Sequence, residues 1–248
     1  MNILDPDAFY DSLASEYDAM TQFAARLEKQ KSMLSQYAGV RRAVDMGCGT
    51  GIHSIALAQL GARVVGIDVS AGMLERARTH AAGLNVIVDF VQGDFMSTPP
   101  APLLPADLLL CLGNSLPHIE RATLPGVLAH WRALMTPGGT VVIQLLNYER
   151  ILRERERIVN IRKTADGTVL RFYDFLDEGL QFNILTMTES DLGLTHSLRS
   201  TRLTPFTAST IVSAARDAGF TNVRLCSTLS GDPFTPDATD CVAMLGGG

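Results

Sequence analysis

The chain has 248 residues, of which 46% are hydrophobic and 19% are charged, and its 21 basic and 26 acidic side chains give a formal charge of −5. This composition is that of an ordinary globular protein, and it excludes a disordered or fibrous chain. The acidic excess offers no broad attraction to phosphate, so neither a nucleic acid nor a membrane is expected as a partner.

Targeting signals and metal-binding patterns are not apparent in the sequence. No apolar run approaches the roughly 20 residues that span a bilayer, and the start MNILDPDAFYDSL lacks a basic segment followed by an apolar one. A cytoplasmic location is therefore the expectation. Cys48, Cys111, Cys226 and Cys241 fall in no metal-ligand spacing, which predicts buried reduced thiols and no metal site.

After a helical N-terminal segment, short β-branched runs alternate with stretches of helical period, which is the pattern of βαβ units on a parallel sheet. The predicted strands are 42–46, 63–67, 86–91, 107–112, 140–146, 222–227 and 241–245. The predicted helices are 52–59, 71–82, 121–135 and 208–218. The turn at 136–139 ends the third of these helices, because proline cannot extend a helix and glycine accepts a positive φ.

The alternation of strands and helices stops between residues 158 and 203, where β-type runs follow one another without an intervening helix. Turn signals such as Asp166-Gly167 separate these runs, and Asp-Gly is a strong hairpin signal. The sequence therefore predicts an antiparallel meander over 158–203, inserted as a substrate lid into an α/β core. The core comprises 1–157, which includes an N-terminal helical cap, and 204–248.

A glycine-rich loop, DMGCGTG at 45–51, follows the first predicted strand of the parallel sheet. Glycines allow a ligand to approach the backbone closely, and the next helix presents unpaired N–H groups to it. A dinucleotide fingerprint would require a further glycine at position 52, which is Ile52. The pattern therefore predicts a small-molecule site and disfavours a pyrophosphate.

Asp68 stands at the end of the second predicted strand. A doubly wound fold places an acid at this position against the hydroxyls of a ribose, so we predict that Asp68 binds a ribose. Ser70 is predicted to cap the helix that follows.

The glycine loop, Asp68, Met73 and Asp94 lie in this order on successive strand ends and resemble the class I S-adenosylmethionine-dependent methyltransferases. The resemblance implies a seven-stranded, mostly parallel sheet with an antiparallel last strand and S-adenosylmethionine as the cofactor. It also implies that Asp94 binds the adenine amino group and that Met73 packs on the adenine. The predicted cofactor-binding residues are Asp45, Gly47, Cys48, Gly49, Gly51, Asp68, Val69, Met73, Gly93, Asp94, Phe95, Leu112, Gly113 and Asn114.

Shorter motifs resemble the glycine and sarcosine N-methyltransferase branch of this family. They are GNS-x-x-H at 113–118, YD-x-LA-x-x-YD at 10–18, Asn147-Tyr148 and the meander. The N/D-P-P-Y/F motif of DNA and other amino methyltransferases is not found after the fourth strand. The resemblance implies a small-molecule acceptor, with an amine nitrogen favoured, and a monomer or homodimer.

Candidate catalytic residues follow from the chemistry of methyl transfer to an amine, which needs alignment, desolvation and removal of a proton. His118 has a suitable ordinary pKa for a base, while Tyr17 and Tyr148 could cover the sulfonium or orient the acceptor. The predicted substrate-binding residues are Asn147, Arg171 and Tyr173, with the arginine suited to a carboxylate.

Three alternatives remain open at the level of the sequence. One is O-methylation of a hydroxyl or carboxylate in the same architecture. Another is a protein that binds S-adenosylmethionine without catalysis and acts as a regulator. The third is a nicotinamide dehydrogenase, which Ile52 opposes.

Overall fold

The structure is a computed structural model, and it describes residues 3–14, 23–164, 167–190 and 193–247. The helices are α1 Pro6–Asp11, α2 Phe23–Leu34, α3 Ile52–Gln59, α4 Ala71–Gly83, α5 Leu124–Leu134, α6 Tyr148–Glu154 and α7 Ala208–Asp217. The strands are β1 Ile3–Leu4, β2 Arg42–Met46, β3 Arg63–Asp68, β4 Asp89–Gln92, β5 Ala106–Cys111, β6 Met135–Leu146, β7 Ile158–Thr164, β8 Gly167–Phe175, β9 Leu180–Ser190, β10 Gly193–Leu203, β11 Asn222–Cys226 and β12 Asp240–Gly246.

Seven strands form a twisted sheet in the order β11-β12-β6-β5-β2-β3-β4. All neighbouring pairs are parallel except those of β12, which is antiparallel to both β11 and β6. The central strands are buried on both faces, as the fully buried run Leu108–Leu110 of β5 shows, and such strands read as continuous apolar runs. The predicted α/β fold class is confirmed.

A second sheet has the order β1-β10-β9-β8-β7. Its strands β7 to β10 pair with their neighbours antiparallel, which confirms the predicted meander. The short strand β1 joins it parallel to β10, with Ile3 opposite Ser200. A strand of two residues carries no periodic signal, so it was not predicted.

Several element boundaries differ from the prediction for local reasons. The strand β4 begins at Asp89 instead of 86, because the backbone N–H of Val86 donates to the carbonyl of Ala81 and completes the end of α4. The strand β6 begins at Met135 instead of 140, since Met135 already pairs with Ala106. The helix α5 is preceded by a separate turn of 3₁₀ helix at Arg121–Thr123.

The helix α6 was not predicted, although Asn147 marks its start. The side chain of Asn147 accepts a hydrogen bond from the backbone N–H of Arg150 as the N-cap, a role that asparagine favours. The predicted cap of α4 is confirmed, because the Ser70 hydroxyl accepts a hydrogen bond of 3.0 Å from the N–H of Met73.

All four cysteines are buried and unpaired, as predicted. Among the helices of the described residues, none combines the length and the apolar character that crossing a membrane requires.

Candidate functional site

A first cavity of about 310 Å³ lies where β2, β3, β4 and β5 end. Ligands of open α/β sheets bind at this edge, outside the carboxyl ends of the strands. The lining contains the glycine loop, the acids that follow β3 and β4, and the segment after β5. The residues concerned include Gly47, Cys48, Gly49, Thr50, Asp68, Val69, Met73, Gly93, Asp94, Phe95, Met96, Leu112, Gly113 and Ser115.

The glycine loop adopts a conformation that side chains would obstruct. Gly47 has a φ of +71°, and a Cβ atom there would lie 2.8 Å from the Cβ of Ser115. Gly51 has a φ of +82° and a Cβ atom there would lie 2.9 Å from the ring of Phe90. Both positions combine a left-handed backbone with a close neighbour, so only glycine satisfies them without strain.

Asp68 fixes the loop to the start of α4. Its Oδ2 accepts a hydrogen bond of 2.7 Å from the N–H of Gly49, and its Oδ1 accepts one of 2.9 Å from the N–H of Ser70. Burial raises the pKa of this carboxyl group, while the two backbone hydrogen bonds oppose that rise. Each carboxylate oxygen can accept a further hydrogen bond, so Asp68 can still receive hydroxyl groups from a ligand.

Asp94 lies after β4 at the wall formed by Phe95 and Met96. Its Oδ1 accepts hydrogen bonds from the N–H of Met96 at 2.9 Å and the hydroxyl of Ser97 at 3.1 Å. Its Oδ2 accepts none from the other described residues. This end of the cavity therefore combines apolar walls with one available carboxylate oxygen.

A second cavity of about 520 Å³ adjoins the first. It lies between α2, the ends of β6 and β12, and the faces of β8 and β9. Its walls are apolar in part and carry the cations Lys29 and Arg171. Six residues line both cavities and mark the junction between them: Tyr10, Arg26, His53, Leu112, Gly113 and His118.

His118 occupies this junction as a neutral imidazole. Its Nε2 lies 3.0 Å from the hydroxyl of Tyr10, and its buried Nδ1 has no hydrogen-bond partner among the described residues. Burial lowers the pKa of His118 to about 4. The ring is therefore uncharged near neutral pH and is a weak proton acceptor.

Arg26 brings a positive charge to the same junction from α2. No carboxylate of the described residues lies within ion-pair distance of it. Burial lowers the pKa of the neighbouring His53 to about 3, and the charge of Arg26 adds to this effect. A cation that lines a cavity in this way can bind an anionic group of a ligand.

Asn114 and Tyr173 line the second cavity, and Tyr148 is buried behind Asn114. The Nδ2 of Asn114 donates a hydrogen bond of 2.8 Å to the hydroxyl of Tyr148, and this hydroxyl donates one of 3.1 Å to the Oδ1 of the same amide. Burial raises the pKa of both phenols, so both remain protonated near neutral pH.

Residues 43–139 match the family model described as "Methyltransferase domain". This part of the chain is a methyltransferase domain. The matched stretch contains the glycine loop, Asp68 and Asp94, and the predicted relationship to the class I S-adenosylmethionine-dependent methyltransferases is confirmed.

Curated relatives include methyltransferases of two kinds. The chain is 28% identical over 148 residues to the glycine/sarcosine N-methyltransferase of Parasynechococcus marenigrum, covering 58% of this chain and 52% of that protein. It is 34% identical over 110 residues to the ubiquinone biosynthesis O-methyltransferase of Xylella fastidiosa, covering 43% of this chain and 42% of that protein. The chain thus spans about half the length of these relatives.

Solved structures share the fold over nearly all of the chain. An S-adenosylmethionine-dependent methyltransferase from Clostridium acetobutylicum has a TM-score of 0.79 at 14% identity and covers 96% of this chain and 99% of its own. The CcbJ methyltransferase from Streptomyces caelestis has a TM-score of 0.75 at 22% identity and covers 88% of each chain. The likeness of fold therefore extends well beyond residues 43–139.

The methyltransferase domain brings most of the predicted cofactor residues together. Those that line the first cavity are Gly47, Cys48, Gly49, Asp68, Val69, Met73, Gly93, Asp94, Phe95, Leu112 and Gly113. Asp45 and Gly51 lie behind the loop and do not reach the cavity. Asn114 lines the second cavity instead of the first.

Only some of the predicted catalytic and substrate-binding residues line a cavity. Arg171 and Tyr173 line the second cavity. Tyr148 is buried behind it. Asn147 reaches neither cavity, because its Nδ2 donates to the carbonyls of Pro236 and Ala238 while its Oδ1 caps α6. Tyr17 lies outside the described residues.

Three residues at the junction were missed by the sequence interpretation: Tyr10, Arg26 and His53. Tyr10 belongs to the N-terminal motif in which Tyr17 was the predicted residue. The hydroxyl of Tyr10 contacts His118. Arg26 and His53 reach the cavity through the packing of α2 on α3, which no local pattern indicates. Lys29 and Gln30 share the helix face of Arg26 and line the second cavity, so the sequence of α2 does not distinguish Arg26 from them.

Proposed function

We propose that the chain binds S-adenosylmethionine in the first cavity and transfers its methyl group to an amine nitrogen of a small molecule in the second. The observation that carries this proposal is the junction of the two cavities, where Tyr10, His118 and Gly113 line both. A methyl donor in the first cavity and an acceptor in the second could meet at this junction for an in-line displacement.

The lining of the first cavity fits the groups of S-adenosylmethionine. Asp68 supplies acceptors for the ribose hydroxyls, and the available Oδ2 of Asp94 suits the adenine amino group. Met73 is buried beside them and packs on the adenine. Arg26 stands beside the glycine loop, where it would hold the carboxylate of the methionine part.

S-adenosylmethionine, when bound, supplies a methyl group on a positively charged sulfur. The protein holds the acceptor in line with it and excludes water, and such positioning accounts for much of an enzymatic rate enhancement. The acceptor amine must arrive in, or be brought to, its neutral form. Since the pKa of His118 is lowered to about 4, His118 contributes more to alignment than to proton removal.

The second cavity, with a volume of about 520 Å³, has room for an acceptor larger than glycine. Lys29 and Arg171 in its lining favour an acceptor that also carries a carboxylate or another anionic group. The meander contributes Tyr173 and Arg171 and, in this proposal, acts as the substrate lid.

Binding of S-adenosylmethionine is tested with Asp94→Asn. In this variant Oδ1 still accepts the hydrogen bond from the N–H of Met96. The amide nitrogen therefore faces the adenine amino group, and two donors oppose each other. We expect the dissociation constant, measured by calorimetry, to rise by about 10- to 100-fold, as for loss of a hydrogen bond worth about 1.5–3 kcal/mol. Asp89→Asn, which changes an exposed acid on β4, the strand before Asp94, is the matched control. Equal affinities of both variants and the wild type would refute the adenine assignment.

A second candidate is methylation of an oxygen. The higher identity, 34%, belongs to the match with an O-methyltransferase, although this match covers less of the chain. Mass-spectrometric fragmentation of a labelled product distinguishes the two. Label on a nitrogen supports the main proposal, and label on an oxygen supports the alternative.

A further inference from the structure

We infer that Asp240 binds the ammonium group of the acceptor molecule and that Gln144 holds this carboxylate in place. Asp240 is then a specificity-determining residue that favours an amine over a hydroxyl compound, and Gln144 is a positioning residue. The acceptor class becomes an amine that also carries an anionic group. This inference rests on the proposed function, in which the second cavity holds the acceptor.

Asp240 brings a negative charge to the second cavity. It begins β12, is partly buried, and is the one acidic residue among the described residues that line this cavity. Its Oδ1 accepts a hydrogen bond of 2.6 Å from the Nε2 of Gln144, and its Oδ2 accepts one of 3.2 Å from the hydroxyl of Thr239. Both donors are uncharged, and no lysine or arginine in the described part of the chain forms an ion pair with Asp240. Its charge is therefore available to a cationic ligand.

Gln144 fixes the position of this carboxylate. The backbone N–H of Gly113 donates a hydrogen bond of 2.7 Å to the Oε1 of Gln144. Because a backbone N–H can only donate, this contact identifies the oxygen end of the amide, and the Nε2 end must face Asp240. The backbone carbonyl of Gln144 also accepts a hydrogen bond of 3.3 Å from the N–H of Asn114. The side chain and the backbone of Gln144 thus connect Asp240 with the loop after β5.

The same contacts place Asp240 near the junction of the two cavities. From the nitrogen of Gly113 through the amide of Gln144 to the Oδ1 of Asp240, the path is no longer than about 8 Å. Gly113 lines both cavities. An ammonium group bound to Asp240 therefore belongs to the end of the acceptor that lies towards the methyl donor, and this is the end whose nitrogen is methylated.

A carboxylate at this position discriminates between classes of acceptor. An ammonium group donates up to three hydrogens, and its hydrogen bonds to a carboxylate are roughly twice as strong as those between neutral groups. A hydroxyl group offers one neutral donor, and an ionised carboxyl group offers none. Lys29 on α2 and Arg171 on β8 line the same cavity and suit an anionic group elsewhere in the acceptor.

The bound ammonium group becomes the nucleophile after it loses one proton to water. The nitrogen then uses its freed electron pair to form the bond to the methyl carbon, while the bond between this carbon and sulfur breaks and leaves its electrons on sulfur. The methylated nitrogen is positively charged again. The carboxylate of Asp240 therefore stabilises the bound substrate and also the charge that develops on nitrogen during the transfer.

A matched pair of probes tests the discrimination. 4-Aminobutanoate and 4-hydroxybutanoate share a carbon chain and a carboxylate, and they differ in the ammonium or hydroxyl group at the other end. Ligand-observed NMR titrations measure their affinities for the wild type, Asp240→Asn and Asp217→Asn. The last of these is the matched control, because Asp217 is an exposed acid at the end of α7 that lines neither cavity.

We expect the wild type and Asp217→Asn to bind 4-aminobutanoate at least about tenfold more tightly than 4-hydroxybutanoate, as for one hydrogen bond between charged groups. Asp240→Asn should lose this preference and keep its affinity for 4-hydroxybutanoate. Asp240→Ser replaces this variant if it does not fold. Gln144→Met, which preserves the length of the side chain without its amide, should reduce the preference by about threefold or more. A purely structural role of Gln144 would instead weaken the binding of both probes alike.

Equal affinity of the wild type for the two probes, absent binding of both, or a preference that survives in the folded Asp240 variants would overturn the inference. These titrations need no S-adenosylmethionine. Failure of the proposed function would instead appear as absent binding of S-adenosylmethionine to the wild type.

Discussion

Asp45, at the end of β2, is a carboxyl group that is only 1% exposed. Its Oδ2 accepts a hydrogen bond of 2.6 Å from the hydroxyl of Ser54, while its Oδ1 is buried without a partner among the described residues. Burial raises the pKa of Asp45 from an ordinary 3.8 to about 7, although the bond with Ser54 opposes the rise. Replacing Asp45 by asparagine removes this titration and preserves the shape of the side chain.

The expected effect on stability follows from the protons bound in each state. Between about pH 4 and about pH 7 the folded protein keeps a proton on Asp45 that the unfolded chain has released, so the free energy of unfolding falls as the pH rises. A shift from 3.8 to about 7, at ~1.4 kcal/mol per pKa unit, gives a decline on the order of 4 kcal/mol. Asp45→Asn lacks this decline.

Urea unfolding across this pH range measures the effect. We expect the stability of Asp45→Asn relative to the wild type to increase as the pH rises, whatever constant offset the buried amide adds. Asp107→Asn is the control. Although burial opposes it, the hydrogen bonds with Arg42 lower the pKa of Asp107 below its ordinary 3.8. Its contribution is therefore lost only at lower pH, and the stability of Asp107→Asn relative to the wild type should stay constant across this range. A relative stability of Asp45→Asn that does not change with pH would refute the reasoning.

Three further predictions concern the first cavity and its wall. Gly47→Ala should lose about 1–3 kcal/mol of stability, because the added Cβ meets Ser115 and the φ of this position is positive. Gly126→Ala, at a helical position with open space around it, should gain up to about 1 kcal/mol. Chemical unfolding of both variants measures these changes. The pH profile of kcat/KM above about pH 5 should keep its shape in His118→Gln, and loss of an inflection near pH 6.5 would contradict the neutral imidazole. The single tryptophan, Trp131, donates from Nε1 to a carbonyl of the cavity wall at 2.9 Å, so titrating S-adenosylmethionine should change its fluorescence, and an unchanged emission would contradict binding there.

The sequence was sufficient where a local pattern determines the structure. The loop 45–51 follows an apolar strand, and the positive φ of Gly47 and Gly51 can be met without strain only by glycine. Asp68 and Asp94 follow neighbouring parallel strands, so topology alone brings them to one edge. The meander was predicted because β-type runs, separated by turn signals, follow one another without an intervening helix.

The sequence was insufficient where distant packing decides the direction of a side chain. Asn114 was assigned to the cofactor because it lies in the segment after the fourth predicted strand, but its φ of +64° and the bond from Leu146 turn it to the second cavity. Asn147 was assigned to the substrate, yet loop carbonyls about 90 residues away in the chain use its amide hydrogens. Arg26 depends on how α2 packs against α3.

The most direct test of the central claim is methyl transfer itself. The protein is incubated with S-adenosylmethionine labelled in its methyl group and with a pool of small amines, including amines that carry a carboxylate, and the small-molecule products are separated. We predict label in a product of the pool that appears with the wild type and is strongly reduced with Asp94→Asn at a low concentration of the donor. S-adenosylmethionine that binds while no acceptor becomes labelled would contradict the account and indicate a protein that binds the molecule without catalysis.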